Sequence, residues 1–130
     1  MRKLLLLSAL LVFACSSEED AQILPENYTI EGKWLYEVGL NTMYIFESGI
    51  RYTYYCVEGD CQAQYESFEA GDGNHIPGTN NYTFEDGILT IDLNFGNELV
   101  APLTFDCDGD RVLVQSQNPY YLSRLGSTCN

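Results

Sequence analysis

The chain has 130 residues and carries 19 acidic against 6 basic side chains, a formal net charge of −13 at pH 7. That balance excludes nucleic-acid binding, which needs clustered Lys and Arg to neutralise phosphates. The length gives room for one domain with one modest core.

Met1-Arg2-Lys3 supplies a short positive start, and Leu4 to Phe13 is an uncharged apolar run. Crossing a hydrocarbon core of about 30 Å takes roughly 20 apolar residues, so this shorter run predicts the core of a signal peptide over residues 1–14 and not a membrane span. At its end, Val12-Phe13-Ala14-Cys15 resembles the lipobox of bacterial lipoproteins, with an aliphatic residue at −3, a small one at −1, and then cysteine. The resemblance implies a diacylglyceryl group on the Cys15 thiol and a further palmitate-type chain on its freed amine. One chain holds a protein only marginally and two or more hold it stably, so the implied state is tethered to the outer membrane without spanning it. The plainer alternative is a chance cysteine in an ordinary secretory signal.

Ser16-Ser17-Glu18-Glu19-Asp20 resembles the acidic export signal that follows the lipidated cysteine in surface lipoproteins of Bacteroidetes-type bacteria. A solvated acidic linker is the competing reading, because runs of like charge stay extended. Residues 15–27, polar and containing Pro25, form the expected linker, and residues 28–130 form the folded domain. Cleavage after Ala14 leaves Lys33, Arg51, Arg111 and Arg124 as the basic residues of the mature chain.

Short alternating apolar and polar runs then predict strands at 34–38, 43–46, 50–56, 61–68, 82–84, 89–93, 99–107, 112–114 and 121–125. No segment suggests a helix. Glu47-Ser48-Gly49, Glu85-Asp86-Gly87, Phe95-Gly96-Asn97 and Asp108-Gly109 supply residues that tolerate positive φ, so neighbouring strands join as hairpins. Only 69–79 is a longer loop. The fold class is all-β: an antiparallel up-and-down meander of eight to nine strands, closed into a barrel that leaves no sticky edge.

Ile30-Glu31-Gly32-Lys33-Trp34, opening the first strand, resembles the G-x-W motif of lipocalins and of the lipocalin-like lipoproteins of Bacteroidetes-type envelopes. Tyr120-Tyr121-Leu122-Ser123-Arg124-Leu125 is similar to their last strand. The resemblance implies a lipocalin-like barrel whose closed end is made by Gly32, Trp34 and Arg124, with the guanidinium over the indole face. An ordinary core tryptophan in another small β-sandwich is the alternative.

Setting Cys15 aside leaves Cys56, Cys61, Cys107 and Cys129, an even number that in an exported domain implies disulfides. Cys56 and Cys61 flank a four-residue Gly-containing loop and are expected to bridge across it. Cys107 is left to pair with Cys129. Zinc binding by these thiols is disfavoured, since the spacings are wrong and His75 is the only histidine. Asp106-Cys-Asp-Gly-Asp110 alternates carboxylates like the start of a calcium loop, but its Gly falls at the fourth place instead of the sixth, which favours a turn. No metal or other cofactor is implied. No nucleophile motif is present, so the expectation is a binding protein and not an enzyme.

The candidate ligand-binding residues are Tyr44, Phe46, Tyr52, Tyr54, Tyr65, Tyr82 and Phe84, aromatic bodies suited to a mostly apolar pocket for a small apolar or amphipathic molecule. The opposing reading is a barrel filled by these same rings, with outer tyrosines meeting glycans or proteins.

Overall fold

A computed structural model describes residues 28–39 and 41–129. The expected signal peptide, Cys15 and the acidic linker lie outside the described residues. Eight strands, β1 (Gly32–Tyr36), β2 (Thr42–Glu47), β3 (Ile50–Tyr55), β4 (Asn80–Glu85), β5 (Ile88–Asp92), β6 (Glu98–Asp106), β7 (Arg111–Val114) and β8 (Tyr120–Arg124), follow one another around a closed antiparallel barrel. Closure comes from β1 on β8, with Trp34 opposite Arg124 and Tyr36 opposite Leu122. Tight turns carry the meander: Ser48 and Gly49, and again Asp86 and Gly87, have positive φ, the twist that a two-residue hairpin needs.

The segment expected as a ninth strand, Cys61–Phe68, is instead the helix α1 (Cys61–Ser67). Its sequence alternates apolar with polar residues from Cys61 to Glu66 and so imitates a strand, yet Ala63 is exposed while Tyr65 is only 2% exposed. Cys61, Tyr65 and Phe68 form the stripe facing the barrel, a spacing of four and three that fits a helical period. Asp60 caps the helix by accepting from Ala63 N at 3.1 Å. At the other end Lys33 Nζ donates to the Tyr65 and Glu66 carbonyls at 3.2 and 2.9 Å, a cation where the helix exposes unpaired acceptors. The Cys56–Cys61 disulfide therefore joins the end of β3 to the first helical residue and does not span a hairpin. Cys107 is bonded to Cys129, which ties the C-terminal tail to the turn between β6 and β7.

Two apolar clusters result. Inside the barrel, Trp34, Phe46, Tyr82, Leu89, Ile91, Ala101, Val112, Val114 and Leu122 are buried. Outside it, Met43, Ile45, Tyr54 and Cys56 are sealed under Tyr65 and Phe68. The closed barrel, α1 and both disulfides are built from the described residues, which bury a core of their own.

One end of the barrel is plugged. The chain enters there, Tyr28 packing on Phe105 at 5.5 Å between ring centroids, and Ile30 is buried beneath it. Trp34 Nε1 donates to the Ile30 carbonyl at 2.7 Å. The Arg124 guanidinium stacks 4.3 Å from the Trp34 ring centroid and donates to the carbonyls of Thr29, Glu31 and Gly109 at 2.9, 2.8 and 3.3 Å. Gly32 has φ of 115°, and a Cβ there would stand 2.7 Å from Arg124 Nη1, so backbone conformation and the arginine both demand glycine. Arg124→Gln should lower the unfolding free energy by about 1–3 kcal/mol, because backbone acceptors lose charged donors. Arg124→Lys should recover only part of it, a point charge replacing a planar fork. Urea denaturation checks both; equal stability of all three proteins would mean that water replaces the guanidinium without loss.

Candidate functional site

The opposite end is open and built differently. Tyr36, Tyr44 and Tyr120 point inward there and meet edge to face, Tyr36 lying 6.5 Å from Tyr44 and 5.2 Å from Tyr120 between ring centroids. Two cavities use this trio as a wall. One, of about 480 Å³, is bounded by Tyr36, Tyr120, Leu93, Leu99, Val100 and the Ser116–Asn118 turn. The other, of about 270 Å³, is more polar and is bounded by Tyr44, Arg51, Thr53, Tyr55, Asn80 and the 76–79 loop. Room for the second exists because β3 and β4 pair at only two positions, Ile50 with Asn81 and Arg51 with Asn80. Beyond Arg51 the strands part, and the long connection crosses the gap with Ile76 N donating to the Thr53 carbonyl at 2.8 Å.

Arg51 brings charge to this end. Its Nη2 donates to Asn80 Oδ1 at 2.7 Å, its guanidinium lies 4.9 Å from the Tyr44 ring centroid, and its Nε is buried with no hydrogen-bond partner. Burial pulls its pKa down, opposed by the neighbouring Tyr44, Tyr120 and Tyr55, but a guanidinium remains a cation at any physiological pH. Burial raises Tyr44 and pushes Tyr120 up to about 12, with Arg51 opposing that shift.

The seven aromatic residues expected to line a pocket divide into two groups. Tyr44, Phe46, Tyr82 and Phe84 face the interior, but only Tyr44 reaches the open end. Phe46 and Tyr82 pack edge to face at 5.0 Å deep in the filled half, and Tyr82 donates to Glu31 Oε1 at 2.6 Å. Tyr52, Tyr54 and Tyr65 belong to the outer cluster and line no interior pocket. Tyr54 stacks on Phe68 and donates to the Glu69 carbonyl at 2.6 Å and to Asp72 Oδ1 at 3.2 Å, fastening the long loop to the wall. Asp72 also accepts from Glu69 N and Asn74 N, and these backbone bonds hold its carboxyl down to about 2. His75 packs against Tyr52 and Tyr54.

Sequence reasoning passed over Tyr36, Tyr120 and Arg51. The signal for the first two was present: Tyr36 lies two residues from Trp34 and Tyr120 two from Leu122, hence on the same inward face. A third cavity, about 410 Å³, is an outer groove along β1 and β8 beside α1, lined by Leu35, Glu37, Gln62, Ser123 and Arg124. Next to it Arg111 holds Glu37 through two bonds of 2.8 and 3.0 Å, and this partner is the main reason the Glu37 pKa is lowered. Asp106, Cys107 and Cys129 gather within 4.8 Å, but the bond between the two sulfurs removes their thiolates as ligands. Cys107–Gly109 forms a short 3-10 turn flanked by Asp106 and Asp110.

Burial is the first cause of the raised pKa of Tyr54 and of Tyr82, with Asp72 and Glu31 adding to it respectively. Folding thus favours the neutral phenols. Their contribution is fully present below the unfolded value of about 10 and is lost as pH rises through the shifted values. Phenolate absorbance should therefore show a late step well above the ordinary tyrosine range that coincides with loss of the β-sheet circular dichroism. Complete ionisation at about pH 10 with the fold intact would contradict the burial described.

Comparison with family models, with curated proteins and with solved structures found no match. The closed eight-stranded antiparallel barrel stands on its own geometry.

Proposed function

We propose that this is a lipid-anchored envelope lipoprotein with a lipocalin-like barrel, which holds a small apolar or amphipathic molecule at the barrel's open end. The observation that carries the reading is the cavity of about 480 Å³ walled by Tyr36, Leu99 and Tyr120, within the usual range for small-molecule sites. The lower interior is filled, with Trp34, Leu89, Ile91, Val112 and Val114 each 0% exposed, so the ligand rests in a shallow mouth and not in a deep cup. The anchor is assigned to Cys15 from its lipobox-like setting, and the localisation to the outer membrane follows from it. Tyr28, the first described residue, packs at the plugged end, opposite the mouth. Binding without catalysis is the assigned activity.

A second reading has one observation in its favour. Leu93, Phe95 and Val100 at the open rim are 40%, 100% and 57% exposed, which suits a filled barrel that meets a protein or glycan through its rim. Native mass spectrometry of the protein purified from its own host separates the two: a co-purifying small molecule supports the carrier, and a ligand-free mass under gentle extraction supports the rim module. Acyl chains on the peptide beginning at Cys15 support the anchor, whereas partition of the protein into water after detergent phase separation would remove it.

A further inference from the structure

Resting on the carrier reading, we propose that the molecule held at the mouth is a monoanionic amphipath, a carboxylate with an apolar tail, whose head is received by Arg51. The charge inventory carries the argument. The described residues contain four basic side chains. Lys33 is satisfied by the carbonyls at the end of α1, Arg111 by the carboxylate of Glu37, and all three nitrogens of Arg124 by backbone carbonyls. Arg51 alone among them retains a buried nitrogen with no partner. In a chain of 19 acidic residues, it forms no ion pair among the described residues, and its neighbours are the neutral Asn80 and Tyr44.

Burying a cation without a counter-charge is costly, and a planar guanidinium on the wall of a polar cavity presents the donor geometry that suits a carboxylate. One positive charge matches one negative charge; a phosphate monoester would bring close to two. The surroundings match the two parts of such a molecule. Thr53, Asn80 and Asn94 accompany Arg51 in the polar cavity, and Leu93, Leu99 and Val100 line the neighbouring one. Tyr44 belongs to the polar side of the shared wall, and Tyr36 and Tyr120 to the apolar side. The negative charge of the protein as a whole adds selectivity, since an anion is welcomed only where Arg51 offsets it.

The test uses the chain from Ser16 onward, which includes the complete barrel, titrated calorimetrically with octanoate, octanol, octylamine and acetate, beside the Arg51→Gln variant. Octanoate is expected to bind about tenfold to a hundredfold more tightly than octanol, the range for a charged hydrogen bond. Octylamine and acetate should bind more weakly than octanoate by at least as much. Arg51→Gln should erase the preference for octanoate over octanol, and the Arg51 Nε–H nuclear magnetic resonance signal of the unsubstituted protein should shift with octanoate alone. Circular dichroism establishes that the variant is folded; if it is not, that Nε–H signal still decides the matter. Equal binding of octanoate and octanol with no Nε–H shift overturns the anion site and leaves the carrier reading standing. Acetate binding as tightly as octanoate overturns the amphipath. Absence of binding by all four probes overturns the anion site and the carrier reading together.

Discussion

Trp34→Ala should destabilise the protein by about 3–5 kcal/mol, the range for removing a large aromatic side chain from a packed core. Trp34 is 0% exposed, and it joins three separate parts of the closed end. Its ring lies against Phe105 at 6.3 Å, its Nε1 secures the Ile30 carbonyl, and its face supports Arg124. Truncation leaves a cavity, an unpaired carbonyl and an unsupported guanidinium at once, and nearby strands closed into a ring have little freedom to collapse. Trp34→Phe keeps most of the volume and loses the donor, so its cost should be about 1–2 kcal/mol. Urea denaturation followed by circular dichroism measures both. A loss below about 1 kcal/mol for Trp34→Ala would mean that the end is not a packed plug.

Reduction of the two disulfides should have the next largest effect. The Cys107–Cys129 bond closes a loop of sequence separation 22 and the Cys56–Cys61 bond one of separation 5. Loop-closure entropy assigns about 3 and about 2 kcal/mol to loops of these sizes, mainly by restricting the unfolded chain. Their local effects differ. Losing the first frees the C-terminal tail from the β6–β7 turn, while losing the second unties α1 from β3 and loosens the cover over Met43 and Tyr54. Mild reductant should lower the melting temperature, with Cys107→Ser and Cys129→Ser together reproducing the larger share. An unchanged melting temperature after verified reduction would contradict the stabilising role of both bonds.

Much of the barrel was legible because its determinants are local. Positive-φ residues at Ser48-Gly49 and Asp86-Gly87 fix the hairpins, and period-two alternation fixes which residues point inward. Where alternation failed, it failed for a physical reason. Cys61 to Glu66 alternates yet forms a helix, since its exposed Ala63 and its Asp60 cap decide the matter and neither is visible to a period-two count. Tyr52 and Tyr54 were expected in a pocket for their aromatic character, yet they serve the outer cluster because α1 and Phe68 cover that face of β3 from outside. The open end was least legible. Arg51 reads as an ordinary polar position until the register sets it beside Asn80, and the parting of β3 from β4 that admits the polar cavity is a property of the whole barrel, with no motif of its own.

The two ends of the barrel thus differ in kind, one sealed by aromatic and arginine packing and the other left open around three tyrosines. The most direct test of that asymmetry is the pattern of nuclear Overhauser effects between bound octanoate and the protein. Contacts from its methylene protons to the rings of Tyr36, Tyr44 and Tyr120, with none to Trp34 or Val112, are the predicted result. Contacts confined to Leu35 and Gln62 in the outer groove, or reaching the Trp34 ring through a reopened core, would contradict it.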